Sequence, residues 1–251
     1  MSEPVLFILF CLIFMIAGIV KGLVGFGMPA ISLGLLTILV GVDKAIVIIL
    51  WPALLTNVWQ ASLGGHLRVL LARLWPFLLA AMLTLWFGTF ILTKLPDGGA
   101  DLVLGVLMVA YAVPLLAGIT FFIPERLQLP IGIIVGAVNG VFSGLTGTYA
   151  VPGMMYLQSI GLSRDALIQA MGLLFMLSTV TLWAALGSFG MVGASETFLS
   201  MQMVVPAFVG VWLGLVIRRR LSDAGFRSAV LIVILAMGLY LVPLGIVRLA
   251  S

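Results

Sequence analysis

Apolar residues along this chain come in runs too long and too numerous for a soluble core. They cover roughly 4–40, 45–62, 70–93, 102–123, 129–160, 166–188, 198–217 and 228–248. A helix needs about 20 apolar residues to cross a bilayer, and six of the runs suit one crossing each. The runs 4–40 and 129–160 are longer. At about 1.5 Å per residue the first extends well past a ~30 Å hydrocarbon core. Each is expected to be a hairpin, either two crossings or a re-entrant pair of half-helices. The short second arm of 129–160 favours the re-entrant form there.

Glycine marks both hairpins. Gly18, Gly22 and Gly25 match Gly140, Gly144 and Gly147 at a constant offset of 122 residues, and a proline follows each set, Pro29 and Pro152. Glycine inside a helix costs about 1 kcal/mol relative to alanine. Three at matched spacing, twice, point to backbone that bends or approaches something closely. The helix is expected to break near Lys21–Gly27 and near Gly144–Tyr149. Further matches, Trp86-Phe-Gly88 with Trp212-Leu-Gly214 and Leu95-Pro-Asp97 with Leu221-Ser-Asp223, sit at an offset of 126. The chain therefore reads as two repeats, 1–123 and 129–251, joined in one membrane domain. Each has a glycine-broken hairpin plus three transmembrane helices.

Composition agrees. Of 251 residues, 63% are hydrophobic and 8% charged, against about 25% charged in a soluble domain. This is an all-α polytopic membrane protein. Glu3 ahead of the first run, without a basic leader, argues for a membrane segment rather than a signal peptide. Cys11 is the single cysteine, so no internal disulfide forms. The net charge of +4 gathers at Arg218–Arg220 beside an apolar run, which is a topology signal rather than a nucleic-acid footprint.

Charge also orients the repeats. Loop 63–73 carries Arg68 and Arg73, whereas its counterpart 189–197 has only Glu196. Loop 94–101 holds Lys94, Asp97 and Asp101, whereas 218–227 holds four arginines and one aspartate. The basic loop changes place between halves. Under the positive-inside rule the halves are then inverted in topology, with both termini outside the cytoplasm of an inner (plasma) membrane. Eight simple crossings would put Arg68/Arg73 and Arg218–Arg220 on opposite sides. Inverted repeats with paired broken helices are a secondary-transporter architecture that binds near the midplane.

The acidic residues all lie at segment ends or in loops. That argues against a cation substrate and against an acid-based proton relay within the membrane. No set of residues suggests hydrolysis, a metal site or a cofactor. His66 reads as a solvated loop residue. What remains for binding is backbone amide at two helix starts, with Pro29 and Pro152 as first-turn prolines. Such starts expose unpaired N–H groups and about half a positive charge, which suits an anion. The candidate binding residues are Gly22, Gly25, Gly27, Asn57, Gly144, Thr146, Gly147, Thr148, Tyr149 and Ser178, with Gln60, Gln169 and Thr181 as weaker ones. For the hydroxyls the competing reading is helix packing. Lys21 is either a cation on the anion path or a lysine snorkelling to the interface. Asp43-Lys44 and Arg164-Asp165 read as interfacial caps. The tryptophans Trp51, Trp59, Trp75, Trp86, Trp183 and Trp212 read as interface belts.

Gly18-Ile-Val-Lys-Gly-Leu-Val-Gly-Phe-Gly27 with Pro29, Gly140-Val-Phe-Ser-Gly-Leu-Thr-Gly147 with Val151-Pro152, and the Trp212 to Arg227 stretch resemble the sulfite exporter TauE/SafE family of membrane permeases. The resemblance covers nearly the whole chain. Where this chain has Phe26-Gly27-Met28 and Thr148-Tyr149-Ala150, the family usually has a run of glycines. The resemblance implies a permease for sulfite, an organosulfonate or another small organic anion. A proton or sodium is the candidate coupling ion, and the sequence does not choose between them. An anion channel and, further off, a membrane enzyme acting on lipid are the competing readings.

Overall fold

The computed structural model describes residues 3–119, 122–149, 151–218 and 223–250, the side chains of residues 3, 223–227, 229 and 230 apart. Arg219, Arg220 and Ala150, and the side chains of Asp223 and Arg227, lie outside that description. All regular structure among the described residues is helical: α1 (Glu3–Val24), α2 (Met28–Val40), α3 (Val42–Ser62), α4 (Leu67–Leu92), α5 (Gly99–Leu116), α6 (Glu125–Thr146), α7 (Gly153–Ser159), α8 (Arg164–Ser188), α9 (Ala194–Gln202), α10 (Val204–Arg218) and α11 (Asp223–Ala250). Eight stretches are long and apolar enough to cross a membrane, α9 and α10 together making one of them. The protein is a multi-pass membrane protein.

Both long runs turn back as expected, with short second arms. α2 has 13 residues and α7 has seven. At about 1.5 Å per residue neither spans ~30 Å by itself. The breaks fall inside the expected stretches, at Gly25–Gly27 and from Gly147, but not at every glycine of each set. Gly18 and Gly22 lie inside an unbroken α1, and Gly140 and Gly144 inside an unbroken α6. α1 stops at Gly25 and Gly27, which have φ of 85° and 93°. α6 stops at Gly147, with φ of 69°. These left-handed conformations suit glycine and few other residues.

The earlier glycines of each set let helices touch. A Cβ on Gly18 would stand 2.3 Å from the Ala207 carbonyl oxygen, and one on Gly22 2.3 Å from that of Val211, so α1 lies directly on the Gly210 and Gly214 face of α10. On α6, Gly136, Gly140 and Gly144 meet the carbonyls of Phe77, Ala81 and Leu85 on α4 just as closely. In lipid there is little hydrophobic drive between helices, and small residues permit the close approach that dispersion needs. The pairing crosses between halves. α1 packs on α10, and α4 on α6, while α3 packs on α8 and α5 on α11.

Two of these pairs, α3 with α8 and α5 with α11, are antiparallel. The end of α3 joins the start of α8, where Gln169 Nε2 donates to the Ala61 carbonyl at 2.8 Å. Nearer the other ends, Trp51 packs edge-on against Trp183 with ring centroids 4.6 Å apart. This corrects the interface-belt reading for those two, whereas Trp75, Trp86 and Trp212 are exposed. α5 and α11 are likewise antiparallel, Gly105 facing Gly238 and Gly98 facing Gly245.

One end of the bundle collects Asp43, Asp97, Asp101 and Arg248 around a cavity of about 360 Å³. There Arg248 Nη1 contacts Asp101 Oδ2 at 2.5 Å, and the aspartate is buried. Arg248→Gln leaves that carboxylate without its arginine, so the variant should lose about 1–3 kcal/mol of stability, read as a lower Tm in detergent. The double variant with Asp101→Asn should recover part of the loss.

Candidate functional site

The site is built where α1 ends. Lys21 is one turn before the break and buried, with 4% of its surface exposed. Its Nζ donates to Thr56 Oγ1 at 3.1 Å and to Asn57 Oδ1. Both partners are neutral and belong to α3. Asp165 lines the same cavity as Lys21 but makes no ion pair with it. A buried ammonium normally has a carboxylate or several hydrogen bonds to offset its lost hydration. Among the described residues Lys21 has two neutral hydrogen-bond partners and no carboxylate in ion-pair contact.

One turn on, Gln60 ties the break to the opposite half. Its Nε2 donates at 2.9 Å to the carbonyl of Gly25 and at 2.9 Å to that of Ile168 on α8. Lys21, Gly22, Gly25 and Gln60 line a cavity of about 160 Å³, together with Trp59, Asp165, Ile168 and Arg218. A second cavity, of about 180 Å³, contains Phe26, Met154, Gln158, Arg164, Ile168 and Arg218. Both sit at the end of the bundle that carries Arg164 and Arg218.

The two breaks meet beyond Phe26. Phe26, Gly27, Pro29 and Ala30 of the first, and Thr148 and Tyr149 of the second, enclose a void of about 10 Å³ with Tyr111 and Phe175. That is about room for one water. Phe26 borders both this void and the 180 Å³ cavity. It packs edge-on against Tyr111, centroids 6.2 Å apart.

The sequence-derived residues thus separate into groups. Lys21, Gly22, Gly25 and Asn57 come together at the first break, and Gly27, Thr148 and Tyr149 come together around the central void. Gly144, Thr146, Gly147 and Ser178 are buried but line neither. Thr146 caps its own turn, its Oγ1 donating to the Phe142 carbonyl and accepting from Thr148 N. Gln169 serves the α3–α8 junction, where its Oε1 also accepts from His66 N at 2.8 Å. Thr181 Oγ1 is turned to the Leu177 carbonyl of its own helix.

The two helix starts are unlike each other. α2 opens on Gly27 with no side-chain cap, Pro29 in its first turn. α7 opens on Pro152 itself, outside the first turn, and Asn139 Oδ1 already accepts from Gly153 N at 2.8 Å. The expectation of two equivalent bare starts is therefore corrected at the second. Sequence reading passed over Phe26 and Tyr111 as site residues. Phe26 sits between two glycines, which is the available signal.

A family model described as sulfite exporter TauE/SafE matches residues 10–241. The chain belongs to that family. The match covers both breaks, all of α2 to α10, and most of α1 and α11, so the residues lining the cavities at the breaks lie within it. It places the chain among membrane transporters of sulfur-containing anions. Searches of curated proteins and of solved structures returned no match.

Proposed function

We propose that this TauE/SafE member is a secondary transporter of a small anion, sulfite, an organosulfonate or a related organic anion, working by alternating access. The observation that carries the reading is Lys21. A buried ammonium beside a helix break, held only by Thr56 and Asn57, is a place where cargo supplies the missing negative charge. Ionisable side chains inside membrane-spanning segments are costly and mark substrate and ion paths, so a buried lysine at this place points to use.

The two-repeat organisation, 1–123 and 129–251 with inverted topology, supports the mechanism. Its support is the antiparallel pairing of α3 with α8 and of α5 with α11, and the crossed pairing of α1 with α10 and of α4 with α6. Arg68, Arg73, Arg126, Arg164 and Arg218 belong to the end where α1 stops, which the positive-inside rule assigns to the cytoplasm. α1 starts and α11 ends at the opposite face, so both termini are then non-cytoplasmic. Cavities at both ends of the bundle and a central void of only about 10 Å³ between them fit a carrier that is narrow at its midpoint. Phe26 is the thin barrier on the cytoplasmic side.

The test is flux into proteoliposomes of sulfite, sulfonates and carboxylates, with and without proton and sodium gradients. Saturable uptake of at least one such anion, driven by one of the gradients, is expected. Currents far above carrier turnover would make the protein a channel, and absence of any flux would end the transport reading.

A further inference from the structure

Asn57 and Gln60 lie on neighbouring turns of α3, both buried. Their partners fix which way each amide faces. Asn57 Oδ1 accepts from Lys21 Nζ, a group that only donates, so its Nδ2 points elsewhere. Gln60 Nε2 donates to two carbonyls, Gly25 and Ile168, so its Oε1 is the atom left over. Both remaining atoms, Asn57 Nδ2 and Gln60 Oε1, are buried without a hydrogen-bond partner. One is a donor and the other an acceptor, yet they do not satisfy each other. An unpartnered buried polar atom costs about 1–3 kcal/mol, and such atoms in a native structure call for an explanation. Gln60 also shares the wall of the 160 Å³ cavity with Lys21.

An anion made only of acceptors would suit Lys21 and Asn57 Nδ2 and still leave Gln60 Oε1 orphaned. We propose that the transported anion carries its own hydrogen-bond donor. Its oxyanion faces Lys21 Nζ and Asn57 Nδ2, while its O–H or N–H is given to Gln60 Oε1. The substrate class is then a singly protonated oxyanion, or a sulfonate or carboxylate with a neighbouring hydroxyl or amine, rather than a bare dianion. This rests on the reading of Lys21 as the anion site, and names Gln60 as the specificity-determining residue.

The experiment compares near-isosteric anions as inhibitors of whichever radiolabelled anion the proteoliposomes take up fastest. Hydroxymethanesulfonate is set against ethanesulfonate, which tests an organic hydroxyl. Hydrogensulfite is set against methanesulfonate, which tests the inorganic source. Unpaired polar groups reject analogues strongly. The donor-bearing member of at least one pair should therefore inhibit at a concentration at least tenfold lower in the wild type. In Gln60→Met that preference should shrink to within twofold. Equal potency within both wild-type pairs overturns the proposal, with water as the partner of Gln60, and needs no variant to be folded. Absence of uptake of every anion would instead overturn the transport reading itself.

Discussion

Lys21→Met abolishes anion uptake, with initial rates in proteoliposomes falling by about a hundredfold or more, while the purified variant melts at the same temperature as the wild type or higher. The two halves of this expected result have one cause. Lys21 is buried, and among the described residues its partners are Thr56 and Asn57, with no carboxylate paired to it. Replacing a buried charge by an apolar side chain of similar length is often neutral or stabilising, because the desolvation cost disappears. The variant does strand Asn57 Oδ1, at about 1–3 kcal/mol, which the removed desolvation cost offsets. A lysine in a buried ion pair would instead leave an unpaired carboxylate and lower Tm. Lys21→Arg keeps the charge but brings a planar fork in place of a compact ammonium. It should retain measurable uptake with a raised KM. Uptake within threefold of wild type in Lys21→Met would remove the lysine from the site.

The second large effect separates glycines that look alike in the sequence. Gly144→Leu and Gly22→Leu should yield little folded protein, seen as loss of the monodisperse peak in detergent. A Cβ at Gly144 would lie 2.2 Å from the Leu85 carbonyl oxygen and 2.5 Å from Thr89 N, both of them backbone of α4. Neither helix can yield locally, and overpacking costs about 1–3 kcal/mol, occasionally more. Gly25→Leu is a different case. The nearest atom to its Cβ is Met171 Cε at 3.7 Å, so space exists, but φ is +85°. The left-handed conformation costs about 1–2 kcal/mol for an L residue, which a membrane bundle tolerates. Gly25→Leu should therefore fold and insert yet transport nothing, because Gln60 holds the Gly25 carbonyl and the break shapes the cavity. Gly147→Leu should follow Gly25→Leu, with its Cβ 3.0 Å from the Ile46 side chain. Normal flux in both break variants would separate the breaks from transport.

Much of this was readable from residues. Long apolar runs announced the spans, and matched glycines announced paired hairpins, because lipid leaves few ways to satisfy backbone. What was not readable is which glycine of each set ends its helix. Gly18, Gly22 and Gly25 are chemically identical. Only the opposing surface of α10, brought from nearly 200 residues away, decides that two of them pack and one breaks. The likeness between halves also misled at Pro152. Asn139 reaches across to fill the second helix start, and no repeat pattern reveals a tertiary cap. Lys21 was ambiguous for a related reason. Snorkelling and burial differ by the rotamer of one flexible chain, and Asn57, 36 residues on, settles it. Its counterpart at the 122-residue offset is Ser143, so the charge belongs to one half only.

The crossed seams carry a mechanical consequence. Because α1 is bolted by bare backbone contact to α10, and α6 to α4, no cut between residues 123 and 129 frees two independent pieces. In the proposed cycle, any rigid unit that swings takes helices from both halves of the chain together. The rigid units such a cycle would move are then composites, and residues 123–129 are not where its hinge is expected.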